Sequence, residues 1–304
     1  SYTPISDIQP WELAALKKLV ENDSIEKLGY DLKLTLRELD INVHGQFIKC
    51  FDGRLARYLL NPSGDLSFSG ACTDYFSVTV REDDAFELLK EYNRYIWKLQ
   101  EVLTAKLKQA NQWELFNNLE LPLMMVLSDM EFAGFRIDPG WLESFKVLLE
   151  QEIARFQKDI DARAGYPVNI NSTKQLGVLL FEQMKIPPVR KTKTGYSTDE
   201  SVLEEIAQTY PVARAILEYR ASNKLKATYV DNLLLLADDA NKVHSYLDQT
   251  GTVTGRLSSS SPNLQNIPVR TEKVRLFRKA FCAAEGNALL IVDYSQIDLR
   301  VLAH

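Results

Sequence analysis

The chain has 304 residues, 45% of them apolar and 25% charged. That is the make-up of a folded globular chain of about two domains, and it excludes a disordered tail, a collagen-like repeat and a coiled-coil rod. Net charge is -5, from 36 basic and 41 acidic residues, so whole-chain charge gives no sign of a nucleic-acid partner and only its distribution can.

Residues 1–105 read as a mixed α/β unit. Helical spacing covers 11–22, a strand 43–51, and a short helix 53–60 that Asn61-Pro62 ends. Residues 63–75, rich in Gly, Ser and Asp, read as loop, and 83–118 as helix. From 112 to 240 the pattern is almost wholly helical. Over 119–132, Leu123, Val126, Leu127 and Met130 share one face, and Gly134 ends the run. Pro139 suits the first position of a helix reaching about Gly165. Ser172 can cap a helix through Met184, Thr198-Asp199-Glu200 opens another, and Pro211 begins a long one to about Asp238.

From Lys242 the character changes. Residues 243–247 read as a strand, 252–268 as a long polar connection, and 288–292 as a buried strand ending on Asp293. Residues 296–304 open a helix that the sequence does not finish, which points to a piece of a longer polypeptide or one half of a split one. No apolar run approaches the roughly 20 residues of a membrane span. No signal peptide is visible, and the chain starts at Ser1 rather than Met. The cysteines (Cys50, Cys72, Cys282) and histidines (His44, His244, His304) are scattered, against a disulfide scaffold or a Cys-rich zinc site. A reducing, cytoplasmic setting is the simplest expectation.

Charge is unevenly spread. Over 254–281 six basic residues (Arg256, Arg270, Lys273, Arg275, Arg278, Lys279) accompany one acid, Glu272. A second basic knot, Arg190-Lys191-Thr192-Lys193, lies between helical patterns. Each alone reads as a solvated loop; two in an acidic chain raise the odds of a phosphate-binding groove.

Three segments carry chemistry. In Ala288-Leu289-Leu290-Ile291-Val292-Asp293-Tyr294-Ser295-Gln296 a carboxylate sits where an apolar run ends, a hard oxygen ligand suited to magnesium. The plainer reading is a helix cap, and one Asp cannot hold two metals. In Thr254-Gly255-Arg256-Leu257-Ser258-Ser259 and Pro262-Asn263-Leu264-Gln265-Asn266-Ile267-Pro268, Arg and amides suit base edges while hydroxyls suit phosphates; a structural turn network is the plainer alternative. On one helix Arg220 and Lys224 share a face, as do Lys226 and Tyr229, which suits phosphate tracking or merely a solvated face.

Together these segments resemble the family A DNA polymerases, the bacterial DNA polymerase I group. The string from Asp293 to His304 resembles that family's first palm motif, and the Thr-Gly-Arg-Leu-Ser-Ser and Pro-Asn-Leu-Gln-Asn-Ile-Pro strings its primer-template segment. Leu121-Pro122-Leu123 through Met130-Glu131, Gly134 and Asp138 resemble the start of the thumb. Asn171-Ser172 with Lys174-Gln175-Leu176, and Lys191 through Thr198, resemble the thumb tip.

The resemblance implies an α/β plus α architecture: an exonuclease-like α/β domain at 1–105, read as inactive, a helical thumb at 106–240, and the first, incomplete part of an α+β palm at 241–304. It implies DNA-templated nucleotidyl transfer to a primer 3′ hydroxyl by a two-metal mechanism. Asp293 would be the catalytic carboxylate on both magnesium ions, and the Tyr294 carbonyl a further ligand. Ser295, Gln296, Ile297 and Asp298 would face the incoming deoxynucleoside triphosphate. Arg256, Asn263 and Gln265 would lie at the primer-template duplex. Arg220, Lys224, Tyr229, Thr192, Lys193, Ser197 and Thr198 would contact phosphates. No membrane partner is implied.

Asp298 stands where the family usually has Glu, the residue that helps exclude a ribose 2′ hydroxyl, so weaker rejection of ribonucleotides is expected. The fingers helix and the late palm motif are absent from the sequence, and with them a second carboxylate. The expectation is a chain that cannot polymerise alone, completed by the same or a second polypeptide. Leu34 stands where a proofreading Asp is expected, so 1–105 reads as a scaffold. The alternatives are a primer-template clamp without chemistry and, less favoured with one clear carboxylate, a metal nuclease.

Overall fold

A buried carboxylate organises the start of the fold. Strands Lys27–Gly29 and Cys50–Asp52 pair in parallel, Gly29 opposite Asp52. Asp52 then starts two helices: it accepts the amide of Leu55 at 2.9 Å in Gly53–Leu60 and that of Leu32 at 2.6 Å in Leu32–Glu38. Each bond satisfies a helix-terminal N–H that has no partner within its helix. These features come from a computed structural model that describes residues 7–44, 48–81, 83–192, 195–268 and 271–304.

The chain forms two units by internal contact. The first is Ser1–Gly134 with His244–Asn266, the second Phe135–Val243 with Ile267–His304. In the first, the long helix Ala85–Gln109 lays Ile96, Leu99, Leu103 and Leu107 against the core. Their three-and-four spacing makes one stripe, and each fully buried leucine contributes about 1.5–3 kcal/mol. Phe51, Phe116, Leu121, Met124 and Met125 complete that core. Strands Tyr246–Asp248 and Ser258–Ser260 pair antiparallel, Leu247 opposite Ser259.

In the second unit Asp138 caps helix Pro139–Ala164 through the Trp141 amide at 2.9 Å, with Pro139 in its first turn. Gly165 closes that helix at φ 80°, a left-handed conformation that favours glycine. Ile160, Leu176, Leu179, Leu180, Leu203 and Ile216 form the core beneath it. Strand Phe135–Arg136 pairs with Lys242–Val243, and helix Glu272–Arg278 presents Phe277 to Phe145, Tyr229 and Phe281.

Most expected helices are present, with corrections. Residues 63–75 are not all loop: Phe68–Phe76 is a helix capped by Ser67, whose hydroxyl accepts the Gly70 amide. The small polar residues there favour a cap as readily as a turn. Of the expected strand at 43–51, residues 45–47 lie outside the described residues and Cys50–Asp52 is a strand, while that at 243–247 splits into Lys242–Val243 and Tyr246–Asp248. Helix Leu121–Ala133 buries Leu121, Met124, Met125, Leu127, Ser128 and Glu131; of the expected face Leu127 is inside and Leu123 half-buried, while Val126 is 49% exposed and Met130 lies outside as well. The stripe is thus rotated from the expected face, because Glu131 finds polar partners inside. The largest correction is at 288–292. It forms no strand and is open to solvent, Leu290 by 87% and Ile291 by 90%. An apolar strand needs neighbours on both edges and a covering layer, and among the described residues none pairs with it.

Contact grouping also cuts across the three-part reading at 105 and 240. Leu121–Ala133 packs with the amino-terminal core, and 244–266 return to it. Among the described residues no helix is long and apolar enough to cross a membrane.

Candidate nucleic-acid interface and nucleotide-transfer site

The sequence-predicted site residues fall into two groups. Arg256, Asn263 and Gln265 belong to the first unit; Arg220, Lys224, Tyr229, Ser197, Thr198 and the segment from Asp293 to Asp298 belong to the second.

In the first unit, polar residues of the segment 252–266 serve largely as its own scaffold. Ser245 and Ser259 hydroxyls meet at 2.8 Å, and the Pro262 carbonyl lies 2.8 and 3.2 Å from them as an acceptor for the proton that this pair leaves over. Asn263 Oδ1 accepts the amides of Gln265 and Asn266 at 3.1 and 3.2 Å, a local turn typical of Asn. Gln265 Nε2 donates to the Leu257 carbonyl at 3.1 Å. Buried Ser259 is therefore structural rather than a phosphate ligand. Arg256 differs: it is exposed and has no ion-pair partner among the described residues.

In the second unit, Arg220 is not a free cation. It donates to the Thr198 carbonyl at 2.6 Å and the Ile170 carbonyl at 3.5 Å, and burial lowers its pKa. Ser197 donates to Asp199 at 2.7 Å, and Arg190 of the basic knot pairs with the same carboxylate. Thr198 is buried, its hydroxyl without a partner among the described residues. Thr192 lies in a strand paired with Gly195–Tyr196; its side chain and all of Lys193 lie outside the described residues. Lys226 is neutralised by Asp231 at 2.8 Å and Glu150 at 3.4 Å. Lys224 is exposed with no such partner among the described residues. Arg220, Lys224 and buried Tyr229 line a cleft of about 250 Å³ with Thr271 and Lys273. Lys273 is held by Glu152 at 2.8 Å and Glu218 at 2.9 Å; burial opposes its charge, but these carboxylates prevail and raise its pKa.

Asp293 and Tyr294 are exposed. Gln296 turns the chain at φ 53° into helix Ile297–Ala303, and Arg300 ties back to the Ser295 carbonyl at 3.0 Å. Asp298 sits in the first helical turn, where the dipole favours an anion. Asp293 does not cap that helix; the residue at its cap is Gln296, which makes no side-chain bond there. A free carboxylate and a backbone carbonyl are hard oxygen donors that fit magnesium. They are too few to hold it alone, and among the described residues no group of three His, Cys, Asp or Glu could hold a metal ion.

Sequence reasoning missed a polar cluster in the first unit. Arg54 pairs with Asp31 and, at 3.2 Å, with Asp248. Lys33 and Glu131 pair beside them, with the Lys33 ammonium 3.6 Å from the Tyr246 ring centre. The available signal was an Asp just after each apolar strand, Asp31 and Asp52. Asp31 is already neutralised by Arg54, and Asp52 is sealed in the core.

Comparison with known proteins joins these pieces. The model of DNA polymerase family A matches residues 140–304. DNA polymerase I of Bacillus subtilis is 39% identical over 96% of this chain and 36% of its own length. That of Lactococcus lactis is 42% identical over 90% of this chain and 33% of its own. The chain thus spans about a third of these curated relatives. A solved structure described as the POL domain of Pol1 from M. smegmatis, in complex with DNA primer-template and dNTP, matches all of this chain and 53% of its own at 32% identity, with a TM-score of 0.84. With the family model spanning more than half of its residues, this chain belongs to DNA polymerase family A.

Proposed function

We propose that the chain is the part of a DNA-templated DNA polymerase that grips primer-template and supplies the first carboxylate for nucleotidyl transfer. The observation that carries this reading is Asp293, exposed and unspent ahead of helix Ile297–Ala303, within the segment that the family model matches. Residues 1–105 serve as an exonuclease-like scaffold without nuclease activity, 106–240 as the thumb and 241–304 as the beginning of the palm. The exposed apolar run 288–292 supports a palm sheet completed by further strands, from the same or a second polypeptide, together with the fingers and a second carboxylate.

Asp293 and the Tyr294 carbonyl would hold magnesium jointly with that second carboxylate. Magnesium, when bound, neutralises triphosphate charge and favours ionisation of the primer hydroxyl. Ser295, Gln296, Ile297 and Asp298 border the incoming deoxynucleoside triphosphate. Arg256 reaches the primer-terminal minor groove, with Asn263 and Gln265 shaping the segment beside it. Lys224 meets backbone phosphate, while Arg220 and Ser197 hold the chain at 197–199 through the Thr198 carbonyl and Asp199.

Asp293→Asn in the full-length protein tests the reading. The expected result is loss of primer extension by about a thousandfold or more, some 4 kcal/mol of barrier, with primer-template affinity nearly intact. A chain that is only a primer-template clamp would retain extension after this substitution.

A further inference from the structure

Arg256 is exposed, yet the backbone on both sides of it is fixed. On its amino-terminal side the anchor is Tyr58, far away in sequence, near the end of helix Gly53–Leu60 and 5% exposed. The Tyr58 hydroxyl donates to the Thr252 carbonyl at 2.7 Å and accepts the Gly255 amide at 3.0 Å, using both of its hydrogen-bonding capacities across one turn. Thr252 Oγ1 then donates to the carbonyl of Arg256 at 2.8 Å. Gly255 takes φ 80° within that turn, a conformation that disfavours other residues.

One helical turn before Tyr58, on the same face, Arg54 holds Asp248 at 3.2 Å. Asp248 in turn accepts the amide and hydroxyl of Thr250, both at 2.8 Å. The same helix face therefore grips the segment at 248 and again at 252–255. On the far side, Gln265 holds the Leu257 carbonyl. The Arg256 side chain has no hydrogen-bond or ion-pair partner among the described residues.

We infer that Tyr58 is a positioning residue for DNA recognition: its hydroxyl fixes the turn 252–255 so that Arg256 is presented to primer-template with its backbone already ordered. This rests on the assignment of Arg256 to DNA. Preorganisation raises affinity because less ordering remains to be done on binding. It also gives the amino-terminal unit a task that requires no nuclease chemistry.

The test is a double-mutant cycle in the full-length protein, read by primer-template affinity. Tyr58→Phe keeps the ring and removes the hydroxyl, and should raise Kd about fivefold, the loss expected when the backbone of about one residue must be ordered on binding. In an Arg256→Ala background the same change should leave Kd unmoved. Should Tyr58→Phe fail to fold, Thr252→Val removes the bond to the Arg256 carbonyl from a half-exposed position, with the same expectation. An undiminished effect in the Arg256→Ala background would overturn the inference. So would normal affinity in Tyr58→Phe beside weakened affinity in Arg256→Ala, an outcome that leaves the DNA role of Arg256 standing. Normal affinity in Arg256→Ala alone removes that role, and the inference with it.

Discussion

Glu131 and Lys33 form an ion pair inside the first unit, their side chains 3% and 5% exposed. Glu131 also accepts the Leu247 amide at 2.7 Å, and Arg37 stands 3.4 Å away. One carboxylate thereby joins helix Leu121–Ala133 to helix Leu32–Glu38 and to strand Tyr246–Asp248. Burial lowers the Lys33 pKa, opposed by the bond to Glu131. Removing one partner of a buried pair leaves an uncompensated charge, so Lys33→Met should cost about 3–5 kcal/mol. Lys33→Met with Glu131→Gln should cost less than the sum of the single changes, because no bare charge is left. Urea midpoints of the four proteins measure this, and a strictly additive pair would refute the coupling.

Asp52 predicts a pH dependence of stability. Burial pushes its pKa up to about 6, against the backbone amides, those of Leu55 and Leu32 foremost, that favour its charge. Between about pH 4, the unfolded value, and pH 6 the folded chain keeps a proton that the unfolded chain has released. Stability therefore falls as pH rises through that window and is level above it. A shift of about two units corresponds to about 3 kcal/mol. Asp52→Asn cannot ionise, so relative to the unaltered protein it should gain that amount between pH 4 and 7. It should also be less stable at pH 4, having lost one acceptor. Unfolding curves at both pH values that change in parallel would refute this.

Arg256 and Lys224 are the two assigned cations with neither an ion pair nor a side-chain hydrogen bond among the described residues, and their effects should differ in kind. Arg256→Ala should weaken primer-terminus binding by about 1–3 kcal/mol and slow extension, as expected for a base-edge contact. Lys224→Ala should weaken binding uniformly across sequences and lower the salt slope by about one, as expected for a single phosphate contact. Arg220→Ala should act instead through unfolding temperature, because its guanidinium is spent on backbone carbonyls. Titrations at several salt concentrations separate the three.

Local signals were legible where chain-neighbour physics decides the outcome. Pro139, Gly165, Ser172 and Pro211 stand at helix ends as their capping chemistry requires. What failed depends on distant partners. The apolar run 288–292 has the composition of a central strand, but a strand exists only by pairing. The buried face of Leu121–Ala133 was misread because Glu131 counts as polar until Lys33 and Leu247 are known to meet it. At the candidate site, the family resemblance singled out Arg256 and Asp293, both exposed in the structure. It could not show that Arg220, Ser197 and Ser259 are consumed internally, since that depends on carbonyls and carboxylates brought in by folding.

Asp298 gives the last prediction. It occupies the first turn of helix Ile297–Ala303, exposed, where the family pattern usually has the longer Glu. A carboxylate that bars a ribose 2′ hydroxyl does so by reach, and Asp is shorter by one methylene. One methylene of steric complementarity is worth about tenfold or more in discrimination. Asp298→Glu in the full-length protein should therefore raise the preference for deoxynucleotides over ribonucleotides by about tenfold. The gain should appear as a fall in kcat/KM for ribonucleotides with that for deoxynucleotides nearly constant. Equal discrimination by the two proteins would mean that the side chain at 298 does not border the sugar, and that the first helical turn lies elsewhere relative to the nucleotide.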